Sequence, residues 1–549
     1  MFSTLLLFLA LITTFLSYTI IYRIFFHPLS KVPGPPLARV TKLWLVWHVR
    51  KRAGGPVFFP SLHKKYGPLV RIAPDQVLAC SEEAVRLGYA AGTRFVKGDW
   101  YQVTAAPDKK QRQEMHLDLF TEMNMDRYRR QRRAIGPAYS IAGLEKHEAL
   151  LDGYLEQYIA RLKSLEGEKV ELAEWAHIYA LDALSHVVVS KAVDYTARGS
   201  EGGNKAASSA IWSCYQTVGM FPGLVDFMQS IPKVGFLLMG FACVALGLPQ
   251  PAMWPLFGFC VPSVLERLKT LESTANVQLP ADRPGLVLSH GRDVKAGTRD
   301  QDDSGAVDED NNGQEKDLLA TLMKLHHDKE ARFPPSWVLG IALTTFAAGH
   351  ETMMFMLAGC IYHTFLPTSA PILQRLRTEM ANKNVTKNSG YTEIVTKVPL
   401  FLAVMKESMR LWPSVGFMLP RKVPANSPGA TISNTYLPPG TTMAINLWAT
   451  HYDPDMFPRP EMFDPDRWLA DGTESKKREI GRLDGLWMGF GGGSRSCVGQ
   501  HLARFFVIKL LARLVLEFDV RISGTPTFGG WFPEGVEGVD ARFLEREVS

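Results

Sequence analysis

The run Phe490-Gly491-Gly492-Gly493-Ser494-Arg495-Ser496-Cys497-Val498-Gly499 constrains this chain more than any other segment. It sets one cysteine in a glycine-rich loop just ahead of a stretch with helical periodicity. Glycine turns sharply and lets backbone come close to a flat neighbour. A helix N-terminus stabilises a thiolate through its unpaired N–H groups and dipole. Arg495 adds a planar donor fork suited to a carboxylate, and Phe490 adds an apolar surface. Together these point to a cysteine thiolate on a haem iron, where sulfur ligation supplies the electron density that favours O–O cleavage.

The spacing FxxGxRxCxG resembles the haem-binding signature of the cytochrome P-450 family. The resemblance implies a mainly α fold with a smaller β region, forming a single large haem-binding domain behind an N-terminal transmembrane helix. It also implies haem b with Cys497 as axial ligand, and Phe490, Arg495 and Gly499 within the cofactor site. The expected activity is that of a haem-thiolate monooxygenase using O2, with electrons passed from NADPH through a partner reductase.

Three further segments carry the resemblance. Phe346-Ala347-Ala348-Gly349-His350-Glu351-Thr352 lies inside a long apolar helical stretch. Glycine there costs roughly 1 kcal/mol against alanine, and a threonine bonded back to its i−4 carbonyl loosens the helix. An acid behind a hydroxyl is a proton relay, so Glu351 and Thr352 are the candidate catalytic pair. Glu407 and Arg410 match the family's ExxR pair, and Arg467 in Pro465-Asp466-Arg467-Trp468 completes an expected buried ion network with a structural role. Arg132 and Arg421 match two propionate contacts. The chain departs from the pattern at Tyr128, where Trp or His is usual, and at His451-Tyr452-Asp453-Pro454. His451 is read as a buried, hydrogen-bonded histidine. By analogy of position, Trp100, Tyr101, Phe346, Val415, Phe417 and Met418 line an apolar pocket for a lipophilic terpenoid, polyketide or alkaloid of secondary metabolism.

From Phe2 to Tyr22 no side chain is charged, enough to cross a bilayer core of about 30 Å. Arg23, Lys31, Arg39, Lys42, Arg50, Lys51 and Arg52 follow, which leaves the remainder cytosolic by the positive-inside rule. Residues 2–22 are therefore read as a retained signal anchor in contact with membrane lipid, in the endoplasmic reticulum by analogy. Residues 23–40 form a basic, proline-rich hinge, stiffened at Pro33-Gly34-Pro35-Pro36, and 41–549 form the catalytic domain. Six irregularly spaced cysteines exclude a disulfide framework or zinc site. The net charge of +6 gives no case for nucleic acid. The basic cluster from Arg127 to Arg133 is a candidate docking face for the reductase.

Residues 318–420 and 497–518 read as helix, and Thr431–Leu447 as strand and turn. Residues 296–317 read as a disordered acidic insertion. The apolar run Val234–Leu248 reads as a buried helix or as a segment dipping into the bilayer. The sequon at Asn384 carries no weight in a cytosolic domain. Two other readings remain: a haem-thiolate isomerase or dehydratase acting without external electrons, and a non-catalytic haem sensor or electron carrier. The intact Glu351-Thr352 pair argues against both.

Overall fold

The computed structural model describes residues 2–51, 55–104, 118–221, 223, 258–267, 317–327, 333, 335–417, 419–530 and 534–546. The run Val234–Leu248, residues 296–316 and Met418 lie outside them. Asp317, counted above in the acidic insertion, is instead an ordered helix cap. One of its oxygens accepts from Ala320 N at 2.8 Å, at the start of helix Leu318–His327, and the other pairs with Arg267 at 2.5 Å. A short acid just before a helix satisfies an otherwise unpaired N–H.

Helix dominates, and helix Pro335–Phe365 is its axis. Helices Leu172–Val189, Leu400–Leu411 and Gln500–Glu517 pack against it. Helix Leu172–Val189 is buried on nearly every side, as expected of a helix apolar all round. Gly349 lets it approach closely, since a Cβ there would stand 3.1 Å from Leu184 Cδ1. Packing thus gives that glycine a second reason beyond opening a pocket.

Helical structure is broken more often between 318 and 420 than periodicity implies. Helix Leu400–Leu411 stops at Trp412, which takes non-helical dihedrals of −121° and 83°. Pro413 disfavours helical backbone in the residue before it, so residues 412–417 and 419–420 are not helical, and strand Arg421–Lys422 follows. That strand lies in a five-stranded sheet ordered Leu69–Ala73, Gln76–Ala79, Thr442–Ile445, Arg421–Lys422, Val96–Lys97. The register sets Lys97 opposite Arg421. A second sheet joins Lys169–Glu171 to the hairpin Phe518–Gly530 and Glu534–Glu545.

Helix Phe2–Ile21 continues through a wider helical turn, Tyr22–Phe26, beyond the expected end at Tyr22. By length and composition, Thr4–Phe26 is able to cross a membrane, and none of it is buried against the rest of the chain. Its last carbonyls have no partner within the helix, and arginines supply one. Arg71 Nη1 donates to Arg23 O at 2.9 Å, and Arg39 Nη2 to Ile24 O at 3.0 Å. Arg23 in turn donates to Val40 O at 2.5 Å. The hinge is therefore tied to the sheet rather than free-standing.

Candidate functional site

Cys497 is the fixed point of the site. Its N–H donates to Phe490 O at 2.8 Å, closing the loop, and the Gly499 N–H hydrogen-bonds its sulfur. Helix Gln500–Glu517 begins immediately after. The side chain is exposed, yet desolvation pushes its thiol pKa up against the opposing effects of Gly499, Arg132 and Arg504. The loop's glycines serve a neighbour other than the one expected. At Gly493, with φ +60°, a Cβ would lie 2.6 Å from the Ala90 carbonyl, and at Gly492 it would lie 2.8 Å from Tyr89 O. These glycines seat the loop on the end of helix Glu82–Tyr89.

Helix Met125–Ile135 clamps the loop from another side. Asn124 caps it through the N–H groups of Asp126 and Arg127. Tyr128, standing where Trp or His was expected, donates its hydroxyl to Ser494 O at 3.0 Å. Arg132 donates to Ser496 O at 2.6 Å and to Ser496 Oγ at 3.3 Å. Part of its fork is thus engaged by the cysteine loop itself.

Arg421 and Arg495 are different. Each has a buried Nε without a hydrogen-bond partner. Arg421 donates to Tyr101 Oη at 2.8 Å, and Arg495 to Phe95 O at 3.0 Å and Met125 Sδ at 3.1 Å. A thioether is a weak acceptor for a guanidinium. Lys97, which the sequence reading missed, completes the cluster. Its ammonium donates to Leu119 O, Phe120 O and Glu122 O between 2.7 and 3.0 Å. Burial pushes its pKa down to about 7, with Arg421 and Arg495 acting in the same direction against Asp118 and Glu122. Burial and then Arg421 also lower the Arg495 pKa. Asp118 and Glu122 face Lys97, whereas among the described residues no carboxylate forms an ion pair with Arg421 or Arg495. The two carboxylates of a haem fit this cluster. Only the sheet register brings Lys97 to Arg421, and nothing local to the sequence marks it.

Above the loop, Thr352 Oγ1 donates to Ala348 O at 2.6 Å, the i−4 bond expected. Glu351 is buried beside it. Ala348 is exposed at mid-helix, and Thr344 and Thr352 are half-buried, so the 344–348–352 stripe is the open side of the helix. Phe346 is fully buried in the core, which corrects its assignment to the pocket, whereas Ala348 and Thr344 lie on the open side. Spacing of four from Thr352 is the sequence signal that marks this side of the helix. Phe417 is also corrected: it is buried edge-to-face against Phe59 at 4.3 Å, in the layer beneath the sheet. Tyr101 belongs to the Arg421 cluster. Trp100 and Val415 are half-buried, and Trp100 stacks edge-on with Phe120 at 6.0 Å.

Away from this site, the Glu407 network is complete and fully enclosed. Glu407 Oε1 accepts from Arg410 at 2.9 Å and Arg467 at 3.2 Å, and Oε2 from Arg410 at 3.0 Å and Trp468 Nε1 at 2.9 Å. His451 is fully buried. Its Nε2 accepts from Met488 N at 3.4 Å, so Nδ1 is the donor to Arg410 O at 3.1 Å. Among the described residues no cluster of three or more His, Cys, Asp or Glu is placed to hold a metal ion.

Comparison with known proteins agrees with this geometry. The family model for cytochrome P-450 matches residues 297–527. A cytochrome P-450 monooxygenase of Sordaria araneosa, sdnT, is 32% identical over 96% of this chain and 93% of its own length. The fusicoccadiene 8-ol C-16 hydroxylase of Alternaria brassicicola is 26% identical over 96% of this chain and 95% of its own. The crystal structure of the cytochrome P-450DA haem domain superimposes with a TM-score of 0.64 at 15% identity, covering 94% of this chain and 98% of that one.

Proposed function

Since the chain belongs to the cytochrome P-450 family and is an oxidoreductase of the monooxygenase type, we propose that it inserts one oxygen atom of O2 into a lipophilic terpenoid, polyketide or alkaloid of fungal secondary metabolism. The family implies a haem with a cysteine thiolate. When bound, the haem supplies activation of O2, one atom going to substrate and the other to water. The observation that carries the reading is the exposed Cys497 side chain in a loop held by Tyr128 and Arg132, together with Arg421 and Arg495, each with a buried nitrogen that has no partner.

In this reading Cys497 ligates the iron, and the Gly499 N–H holds its sulfur in place. Phe490 packs at the cofactor's face, and Arg421 and Arg495 bind its carboxylates, with Arg132 fixing the loop through Ser496. Thr352 holds a proton on Oγ1 at the open side of the central helix, and Glu351 restores it from behind. Trp100, Val415, Thr344, Ala348 and Met418 contact substrate. Glu407, Arg410 and Arg467 keep the scaffold closed.

The same proposal puts the Phe2–Phe26 helix in the membrane of the endoplasmic reticulum, with residues 41–549 as one cytosolic catalytic domain. Its length, apolarity and the basic residues beyond it support this. An NADPH-dependent reductase docks on the Cys497 side, where Arg129, Arg130 and Arg133 are exposed. Relatives named for hydroxylating fusicoccadiene 8-ol and tryprostatin B support the substrate class.

The test is reconstitution in membranes with an NADPH-dependent reductase and 18O2 against a panel of such metabolites. One labelled oxygen per product, with NADPH and O2 consumed together, is expected. Product formed without NADPH would identify an isomerase or dehydratase, and haem reduction without any product a carrier.

A further inference from the structure

Arg504 lies in the second turn of helix Gln500–Glu517, whose first turn carries no acid. Its guanidinium lies over the Phe490 ring, 5.3 Å from the centroid, a cation–π contact that is stronger when desolvated. Its Nε is buried without a hydrogen-bond partner. Among the described residues no carboxylate lies within ion-pair distance of it, and the nearby Asp484 is engaged by Lys406. Phe490 is also the residue whose carbonyl accepts the Cys497 N–H at 2.8 Å. The cation and the Cys497 backbone are thus fastened to the same residue, one through its ring and the other through its carbonyl. Cys497 and Arg504 each perturb the other electrostatically, the sulfur favouring the cation and the cation the thiolate.

We infer that Arg504, held on Phe490, is a positioning residue whose charge withdraws electron density from the Cys497 thiolate and so raises the reduction potential of the iron that sulfur binds. The inference rests on Cys497 being the ligand, as proposed above. Charge and hydrogen bonding around a ligating sulfur are the protein's usual means of setting a potential. Removing the cation leaves the sulfur more electron-rich, which favours the ferric state.

The measurement is the haem midpoint potential of the full-length, membrane-bound protein, beside the carbon monoxide difference spectrum. R504Q is expected to keep the thiolate-type spectrum while its potential moves to a more negative value, and R504K to stay close to the parent. If R504Q does not load haem, R504H serves, because its charge is switchable. Its potential should then fall more steeply than the parent's as pH rises through the imidazole range. An unchanged potential in R504Q, or an R504H that tracks the parent, overturns the inference. If R504Q is instead reduced more slowly by the reductase at an unchanged potential, Arg504 is a docking residue. Absence of a thiolate-type spectrum in the parent itself would defeat the Cys497 reading and the inference with it.

Discussion

Glu407 illustrates how much one buried carboxylate can organise. It is fully enclosed and neutralises Arg410 and Arg467, which are themselves buried. Its two oxygens also accept from the Trp468 indole and the Asp464 N–H. Breaking such a group by removing one member strands the others, typically at about 3–5 kcal/mol. E407Q should therefore lower the thermal midpoint and the yield of haem-loaded protein together. A variant that loads haem normally at unchanged stability would remove the structural role. The sequence made this group legible because Glu407 and Arg410 are three residues apart on one helix and Arg467 sits in a recognisable segment. Trp468 and the Asp464 N–H were not legible, because their partnership depends on how a distant irregular segment folds back. Lys97 was invisible for the same reason: its meaning comes from the strand register opposite Arg421.

At the scale of elements, the pieces that bear chemistry are short and are positioned by neighbours remote in sequence. The cysteine loop is seated on Tyr89–Ala91 through glycines and clamped by Tyr128 and Arg132. The helix Pro335–Phe365 was readable from its apolar run, and its Thr352 bond from the i−4 rule. Its open side was misjudged at Phe346, because an apolar residue next to a motif looks the same whether it faces a pocket or the core. The junction of the N-terminal helix was read as a stiff spacer, whereas the fold ties it down. Arg71, fully buried, donates to Arg23 O, Leu29 O and Pro74 O. R71M would leave these carbonyls unmet, at about 1–3 kcal/mol for each stranded group. Limited trypsin digestion of the membrane-bound protein should then cut faster between Arg23 and Arg39, releasing the domain. Digestion at the parent's rate would show that the tie does not hold the junction.

The whole molecule couples a helical core to a small sheet, and several histidines are sealed in that core. Burial lowers the pKa of His177 to about 3, of His363 to about 4 and of His451 to about 3, from 6.5. A lowered folded-state pKa means that the unfolded chain binds protons the folded one refuses. Stability from these residues is complete above pH 6.5 and is lost as pH falls from there towards 4. Each contributes a slope of up to about 1.4 kcal/mol per pH unit in that window. The urea midpoint should decline between pH 6.5 and 5, and H363Q should flatten the decline. An equal slope in H363Q would contradict the burial of a neutral imidazole there.

The account stands or falls on Cys497, since the loop, the cation cluster and the open side of the central helix acquire one purpose only if its sulfur binds a haem iron. The carbon monoxide difference spectrum of the reduced, membrane-bound protein, recorded beside C497A, tests this most directly. A red-shifted Soret band of the thiolate type in the parent, absent from C497A, is the predicted result. An imidazole-type band, no haem signal, or a thiolate-type band that survives in C497A would contradict it.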